Sequence, residues 1–412
     1  MRIFYHLGIF FMNWGIKAGS GFIPKWKKML QGRKYLFDSL RKFREAHPSP
    51  LVWFHVASLG EYEQAKPIIK AFKEKNPFWA VCVTFFSPSG YEPVIKKKQL
   101  WVDHVQYMPF DTKGNAKKFL DILHPNAVFF VKYDLWANHI LEIQKRQIPL
   151  FLVAAAFRKE QPYFQWYGGF FLNLLKNFYW IFTQREEQAE LGKAAGLVNI
   201  SRAGDPRYDN VREISLSPRH FPELKLAKPA FVIGSAWQED MDLLIPFLKA
   251  NTTYQVIIAP HDIRREQLHE WGKAIEKPYL LYSELNPTQG ADWEVLFIDN
   301  IGMLSSLYQF ARVAYVGGGS GKGLHNILEP LAFGIPVLFA KVKNENKFLE
   351  AGISREYGCG FAVNTSEELT ATMNVLEEKS AYKKSCEAAR KLVNENLGSA
   401  KTIMDKVSKH IG

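Results

Sequence analysis

Short apolar runs alternate with amphipathic stretches along most of the 412-residue chain. The first series lies at residues 51–57, 80–85, 104–108, 127–131, 150–155 and 180–183. Runs of this length with few polar interruptions predict strands buried on both faces, and the helix-like stretches between them predict parallel crossovers. A second series follows at 230–235, 255–259, 279–282, 295–298, 313–316 and 336–339, interleaved with amphipathic segments such as 240–250 and 324–333. The pattern predicts an α/β fold of two Rossmann-like, doubly wound domains. Between the series, 204–229 holds Pro206, Pro218, Pro222 and Pro229 without a clean period of either kind, and reads as a hinge. Residues 366–410 read as two polar helices with Leu369, Met373, Val375 and Leu376 facing a core. The expected division is a membrane-associating segment at 1–45, a first domain at 46–205, a linker at 206–229, a second domain at 230–380 and a C-terminal helix at 381–412.

Charge changes this picture at one end. Residues 1–44 hold ten Lys or Arg against one acid, Asp38, which accounts for nine of the chain's net +12. The same end opens with an apolar, aromatic run at 3–14, shorter than the ~20 residues needed to span a bilayer. An apolar segment followed by cations is expected to lie in the interface of an anionic leaflet, each cation near the surface contributing about 1 kcal/mol. A first core helix with a solvated basic face is the alternative, and no cleavage site follows to suggest a signal peptide. No helix-turn-helix, zinc or aromatic-platform signature accompanies the charge, so nucleic acid is not an expected partner. Cys82, Cys359 and Cys386 are far apart and odd in number, which argues against a disulfide framework or zinc knuckle and for a reducing setting.

Ligands of open parallel sheets bind beyond the carboxyl ends of the strands, so loops that follow strands are where chemistry is expected. The first is Val56-Ala57-Ser58-Leu59-Gly60-Glu61, where Gly60 permits a tight turn and Glu61 opens a helix. A desolvated carboxylate at such a place is a candidate general base, and an acid that complements the helix dipole is the plainer alternative. The second is Val316-Gly317-Gly318-Gly319-Ser320-Gly321-Lys322-Gly323, whose glycines let a backbone approach phosphate ahead of a helix N-terminus. It is not G-x-x-x-x-G-K-[ST], because Gly323 follows Lys322, and its place in the second half does not fit the dinucleotide fingerprint. Glycines that merely turn the chain are the alternative. Glu329 is a candidate for ribose hydroxyls. The third loop, 259–265, offers His261 and Arg264 to a phosphate or sugar carboxylate. The fourth, 84–90 with 131–136 on a neighbouring strand end, offers hydroxyls, a cation and a carboxylate to a polar headgroup, although Ser-Pro-Ser is also an ordinary helix cap. Asp240-Met241-Asp242 spells D-x-D but opens an amphipathic helix and reads as structural. His261 and His269 lack metal-ligand spacing, and no metal or other cofactor is expected.

In order and spacing, Ser58-Leu59-Gly60-Glu61, Thr84 through Gly90, Lys132-Tyr133-Asp134-Leu135-Trp136, Gly204-Asp205-Pro206-Arg207-Tyr208-Asp209, Ala259-Pro260-His261 and His325-Asn326-Ile327-Leu328-Glu329-Pro330 resemble the landmarks of the 3-deoxy-D-manno-octulosonic acid (Kdo) transferases, over about residues 1–400. The resemblance implies a GT-B fold with the two domains facing a cleft, CMP-Kdo as donor and the lipid A precursor (lipid IVA) as acceptor. It also implies inversion at the anomeric carbon without a metal, in lipopolysaccharide core biosynthesis at the cytoplasmic face of the bacterial inner membrane. By motif, Glu61 resembles the family's general base. Ser235, His261, Arg264, Gly317, Gly318, Gly319, Ser320, Asn326 and Glu329 then fall to the donor, and Gly60, Ser87, Ser89, Lys132, Asp134 and Arg158 to the acceptor. Two departures stand out: Lys132-Tyr133-Asp134-Leu135-Trp136 replaces the Glu-x-Glu-Leu-Trp of many members, and Pro260-His261 replaces Pro-Arg-His, with Arg264 or Arg265 as a substitute cation. Ten of the twenty residues at 163–182 are aromatic, a stretch suited to acyl chains or an interface where it does not enter the sheet. The rival readings are a GT-B transferase using a UDP-sugar on another lipid or glycan, and a membrane-bound adaptor without activity.

Overall fold

The computed structural model describes residues 2–285, 293–321, 323–342 and 348–411. The chain forms two compact units, Met1–Asn210 with Leu397–Gly412 and Val211–Asn396. Strands of the first are β1 Leu51–Val56, β2 Ala80–Phe85, β3 His104–Tyr107, β4 Ala127–Val131, β5 Leu150–Ala155, β6 Trp180–Thr183 and β7 Ile200–Arg202. All pair in parallel, in the order β3-β2-β1-β4-β5-β6-β7. The apolar runs are continuous because both faces are covered. On one face Trp53, Cys82, Phe130 and Leu152 pack against Leu40, Phe119 and Ile140 of the flanking helices. On the other, Phe54, Val83 and Phe129 meet Ile68, Ile69 and Phe72 of the helix Leu59–Lys75, and Ile403 and Met404 of the helix Ser399–Val407.

The second unit holds β8 Ala230–Ala236, β9 Gln255–Pro260, β10 Tyr279–Leu281, β11 Val295–Phe297, β12 Ala311–Val316, β13 Val337–Ala340 and β14 Gly360–Val363. These too are parallel, in the order β10-β11-β9-β8-β12-β13-β14. Phe231, Ile233, Val256, Ile258 and Tyr315 form its core with Met241, Leu244 and Leu248 of the helix Gln238–Ala250. The two doubly wound sheets expected from the sequence are therefore present. In each, strand order reverses beside the first strand, between β1 and β4 and between β8 and β12. Those reversals are where such sheets bind ligands.

The differences from the sequence reading have local causes. β7 carries the polar Ser201 and Arg202 among its three residues, and β14 opens on a glycine and leaves only Phe361, Ala362 and Val363 as an apolar run, so neither stands out in the sequence. The segment read as irregular contains the helix Arg207–Leu216, and the C-terminal stretch holds three helices, Ser366–Glu377, Lys379–Glu395 and Ser399–Val407. The amphipathic segment at 324–333 is helical only over Leu328–Ala332.

Three helices, Arg2–Gly19, Pro24–Gln31 and Leu36–Ala46, precede β1. The first exposes Ile3, Phe4, Phe10, Phe11 and Trp14, so its apolar face is not a core face. Among the described residues no helix is long and apolar enough to cross a membrane. It is tied to the sheet through Tyr5, whose hydroxyl donates to Asp111 Oδ2 (2.5 Å) and accepts from the Ala137 N–H (3.1 Å). Asp111 is fully buried and also accepts from the Asn138 and His139 N–H groups and contacts His139 Nδ1 at 2.5 Å. Burial alone would raise the Asp111 pKa, but His139 and these hydrogen bonds outweigh it and hold the carboxyl below its ordinary value.

Candidate active site and its relatives

At the reversal of the first sheet, the chain leaves β1 through Ala57 and Ser58 and turns directly into the helix Leu59–Lys75. Gly60 is not a turn residue. It lies inside that helix and a Cβ there would meet nothing, so its effect is to leave the helix end bare. Glu61, one residue on, folds back over the helix start and accepts the Ala57 N–H at 2.5 Å through Oε2. It is 6% exposed. Burial, reinforced by the negative charge of Asp134, pushes its pKa up to about 8 against the pull of the Ala57 N–H and the Lys132 ammonium.

Lys132 and Asp134 arrive from the end of β4. The backbone turns sharply there, with Lys132 at φ 72° and its N–H donating to Val153 O. Asp134 Oδ2 stands 3.7 Å from His55 Nε2. The Trp136 indole N–H donates to that same nitrogen at 2.9 Å, and an indole only donates. His55 Nε2 is thus an acceptor, the ring proton sits on Nδ1 facing Thr84 Oγ1 (2.9 Å), and Asp134 Oδ2 is left buried without a hydrogen-bond partner. The nearby Asp134 carboxylate is what reinforces the effect of burial on Glu61. Arg158, beyond β5, places its guanidinium 5.9 Å from the centroid of the Tyr133 ring. The Tyr133 hydroxyl is raised mainly by burial and then by the Glu61 charge, which ties Arg158 to the same cluster. Ser87 caps the helix Pro88–Ile95, its Oγ 2.8 Å from Ser89 Oγ, and its N–H donates to Ala57 O. The first and fourth loops read from the sequence, together with Arg158, converge at one end of one sheet.

In the second unit, Gly317 and Gly318 leave β12 beside Ser235 at the end of β8. Gly318 has φ 92°, and a Cβ on it would meet Gly323 O at 2.4 Å; a Cβ on Gly317 would meet Ser235 O at 2.4 Å. No residue but glycine fits either place. A Cβ on Gly319 would meet Ala340 O at 2.1 Å, so it too is pressed against a neighbouring strand end. Ser235 itself holds φ 54°. Ser320 is exposed at the tip and Lys322 lies outside the described residues. Asn326 Oδ1 accepts from the Leu328 N–H, and its Nδ2 reaches Glu329 Oε1 at 3.3 Å, so the short helix starts on a side-chain cap. His261 joins the cluster by stacking on Trp237 (centroids 3.9 Å) and approaching His325 (4.7 Å). Burial, and then the nearby His261, lowers the His325 pKa to about 4. Arg264 does not join. It is 67% exposed and pairs with Asp262 at 3.4 Å.

Sequence reasoning gave no role to His55, Trp237 or His325, and read Asp240 as a dipole acid only. Asp240 is fully buried and accepts from the Trp237 N–H, the Gly318 N–H and the Tyr315 hydroxyl, so it fixes the glycine loop to β8. The signal available was its distance of three residues from Trp237, the spacing of a capping box.

Two doubly wound units, each with a polar cluster at its strand reversal, are the architecture of GT-B glycosyltransferases. In keeping with this, MurG of Acinetobacter baumannii superposes with a TM-score of 0.57 over 88% of this chain and 100% of that one at 12% identity. A UDP-N-acetylglucosamine 2-epimerase gives 0.59 over 88% and 96% at 14% identity. Residues 31–210 match the family model described as 3-Deoxy-D-manno-octulosonic-acid transferase (kdotransferase). Over 350 residues, 81% of this chain and 91% of the relative, the sequence is 26% identical to the 3-deoxy-D-manno-octulosonic acid transferase of Aquifex aeolicus (strain VF5). The resemblance read from the motifs is thereby borne out: the chain is similar to the Kdo transferases over most of its length.

Proposed function

We propose that the protein transfers Kdo from CMP-Kdo to the lipid A precursor with inversion, for lipopolysaccharide core biosynthesis, working at the cytoplasmic face of the inner membrane. The observation that carries this reading is the buried Glu61 carboxyl, raised to about 8 at the strand reversal of the first sheet. A carboxylate that holds its proton this firmly is a competent base once ionised. In the proposed step the acceptor hydroxyl gives its proton to Glu61 while its oxygen attacks C2 of Kdo and the C2–O bond to the CMP phosphate breaks. Lys132, Asp134, Arg158, Ser87 and Ser89 are assigned to the acceptor headgroup, with Gly60 leaving the backbone open to it. The departing phosphate is assigned to N–H groups of the loop Gly317, Gly318, Gly319 and Ser320, with Ser235 and His261 beside it. Asn326 and Glu329 are assigned to the nucleoside, and Arg264 meets the donor only if its exposed side chain swings inward.

The family match and the relatives' names support Kdo as the sugar. The direct test is product mass after incubation of the protein with tetraacyl lipid A precursor and either CMP-Kdo or UDP-sugars. Transfer from CMP-Kdo in the presence of EDTA is expected, and transfer from a UDP-sugar alone would replace this reading with its rival. Glu61→Gln is expected to retain CMP-Kdo binding and lose turnover by at least ~100-fold; near-normal turnover would remove Glu61 from its role.

A further inference from the structure

We propose that one acyl chain of the acceptor lipid enters a cavity of the first unit, so that the acceptor is selected by its tail as well as its headgroup. Whose chain it is rests on the transferase reading; the cavity does not. The space is about 390 Å³ and is walled by Phe11, Ile16, Trp26, Met29 and Phe86. Pockets that enclose small ligands span ~300–1,000 Å³, so a flexible chain fits.

Three features select an amphiphile. The walls are fixed rather than loosely laid: the buried Arg33 guanidinium donates to Met29 O (3.0 Å), Phe86 O (2.9 Å) and Met108 O (2.8 Å), which locks the helix Pro24–Gln31 to the ends of β2 and β3. The lining's polar groups are few, chiefly the Lys25 cation and the Ser87 hydroxyl, a match for an anionic head on an apolar tail and a poor match for a sugar or nucleotide. The cavity also abuts the chemistry. The Ser87 N–H donates to Ala57 O and the Ala57 N–H donates to Glu61 Oε2, so a single residue, Ala57, separates the cavity wall from the carboxylate. Phe11 lines the cavity while remaining 61% exposed, on the same helix that shows Phe4, Phe10 and Trp14 to the outside. An acyl chain moving out of a leaflet beside that helix meets no polar barrier at Phe11.

Gly15 allows a clean test. It lines the cavity, and a Cβ there meets nothing within 4 Å, so Gly15→Leu fills the space while raising helix propensity. Gly8, on the same helix outside the cavity, is equally open and serves as control. The probe is cis-parinaric acid added to the full chain, with energy transfer from tryptophan, Trp26 being in the wall, as readout. Saturable binding is expected, weakened about tenfold or more by Gly15→Leu and unchanged by Gly8→Leu. Lys25→Gln is expected to weaken the acid more than its methyl ester. Unchanged binding by Gly15→Leu, or equal loss in both glycine variants, overturns the site in favour of adsorption to the exposed helix face. In turnover, Gly15→Leu is expected to raise KM for the tetraacyl acceptor more than for its O-deacylated form at constant kcat. Equal KM changes overturn the assignment of the chain to the acceptor, whereas a wild type that binds the acid yet transfers no Kdo overturns the transferase reading and upholds the lipid site.

Discussion

A carboxyl with its pKa at about 8 is mostly protonated at neutral pH, so the proposed base is available to only a fraction of molecules there. The kcat/KM of the protein is therefore expected to rise as pH goes from 7 to 9 and to level off above Glu61's pKa; a flat profile across that range would contradict the role. Stability carries the opposite sign. The folded-state pKa lies above the ordinary 4.5, so the neutral group's contribution is fully present below 4.5 and is lost as pH rises through 8. Glu61→Gln stays neutral and can still accept the Ala57 N–H, so at pH 9 it is expected to be more stable than the wild type by a few kcal/mol, at about 1.4 per pKa unit, in urea unfolding. In the second unit, Asp240→Ala removes the acceptor of two buried N–H groups. A loss of about 1–3 kcal/mol in stability and weaker CMP binding are expected, read by calorimetry. Glu61 was legible in the sequence because an acid just past a buried strand and a glycine is a short-range pattern. His55 and Trp237 were not, since their meaning lies in partners about 80 or 90 residues away, Trp136 and His325.

The first helix illustrates what periodicity does and does not carry. Its aromatic run is plain in the sequence, and the structure leaves that face open, but the residue that docks it, Tyr5, lies within the same run and looks no different from its neighbours. Tyr5→Phe removes one hydrogen bond to a buried carboxylate, so a cost of about 1.5–3 kcal/mol and faster proteolysis within Arg2–Gly19 are expected. Unaltered proteolysis would mean the helix is held by packing alone. The glycine loop was read as leading into a helix over 324–333; instead Gly323 N–H and His325 N–H bond back to Gly318 O and Gly317 O, and the helix waits until Leu328. A loop that closes on itself uses chain that a simple apolar period assigns to the next element. β7 and β14, each on a sheet edge, show the same limit: an outermost strand needs less apolar surface and leaves less of a pattern.

At the scale of the molecule, two series of apolar runs were enough to reveal two sheets, because a parallel sheet buried on both faces cannot be written in any other residues. Which sheet the last helix covers could not be read. Ile403, Met404 and Val407 announce an apolar face, and nothing local says that it lies against Ile68 and Phe72. Asp209 and Ala203 complete the attachment, Asp209 accepting the Gly398 and Ala400 N–H groups and Ala203 O accepting the Ser399 hydroxyl. Removal of Leu397–Gly412 is expected to lower the melting temperature of the first unit and expose the helix Leu59–Lys75 to protease, with the second unit unchanged. This arrangement also sets a timetable. The ribosome makes the first unit's final piece only after all of Val211–Asn396, a wait on the order of ten seconds or more at about 5–20 residues per second. Through that wait the nascent first unit shows an uncovered greasy strip, a target for trigger-type chaperones and a reason for its amino-terminal fragment to clump when expressed alone.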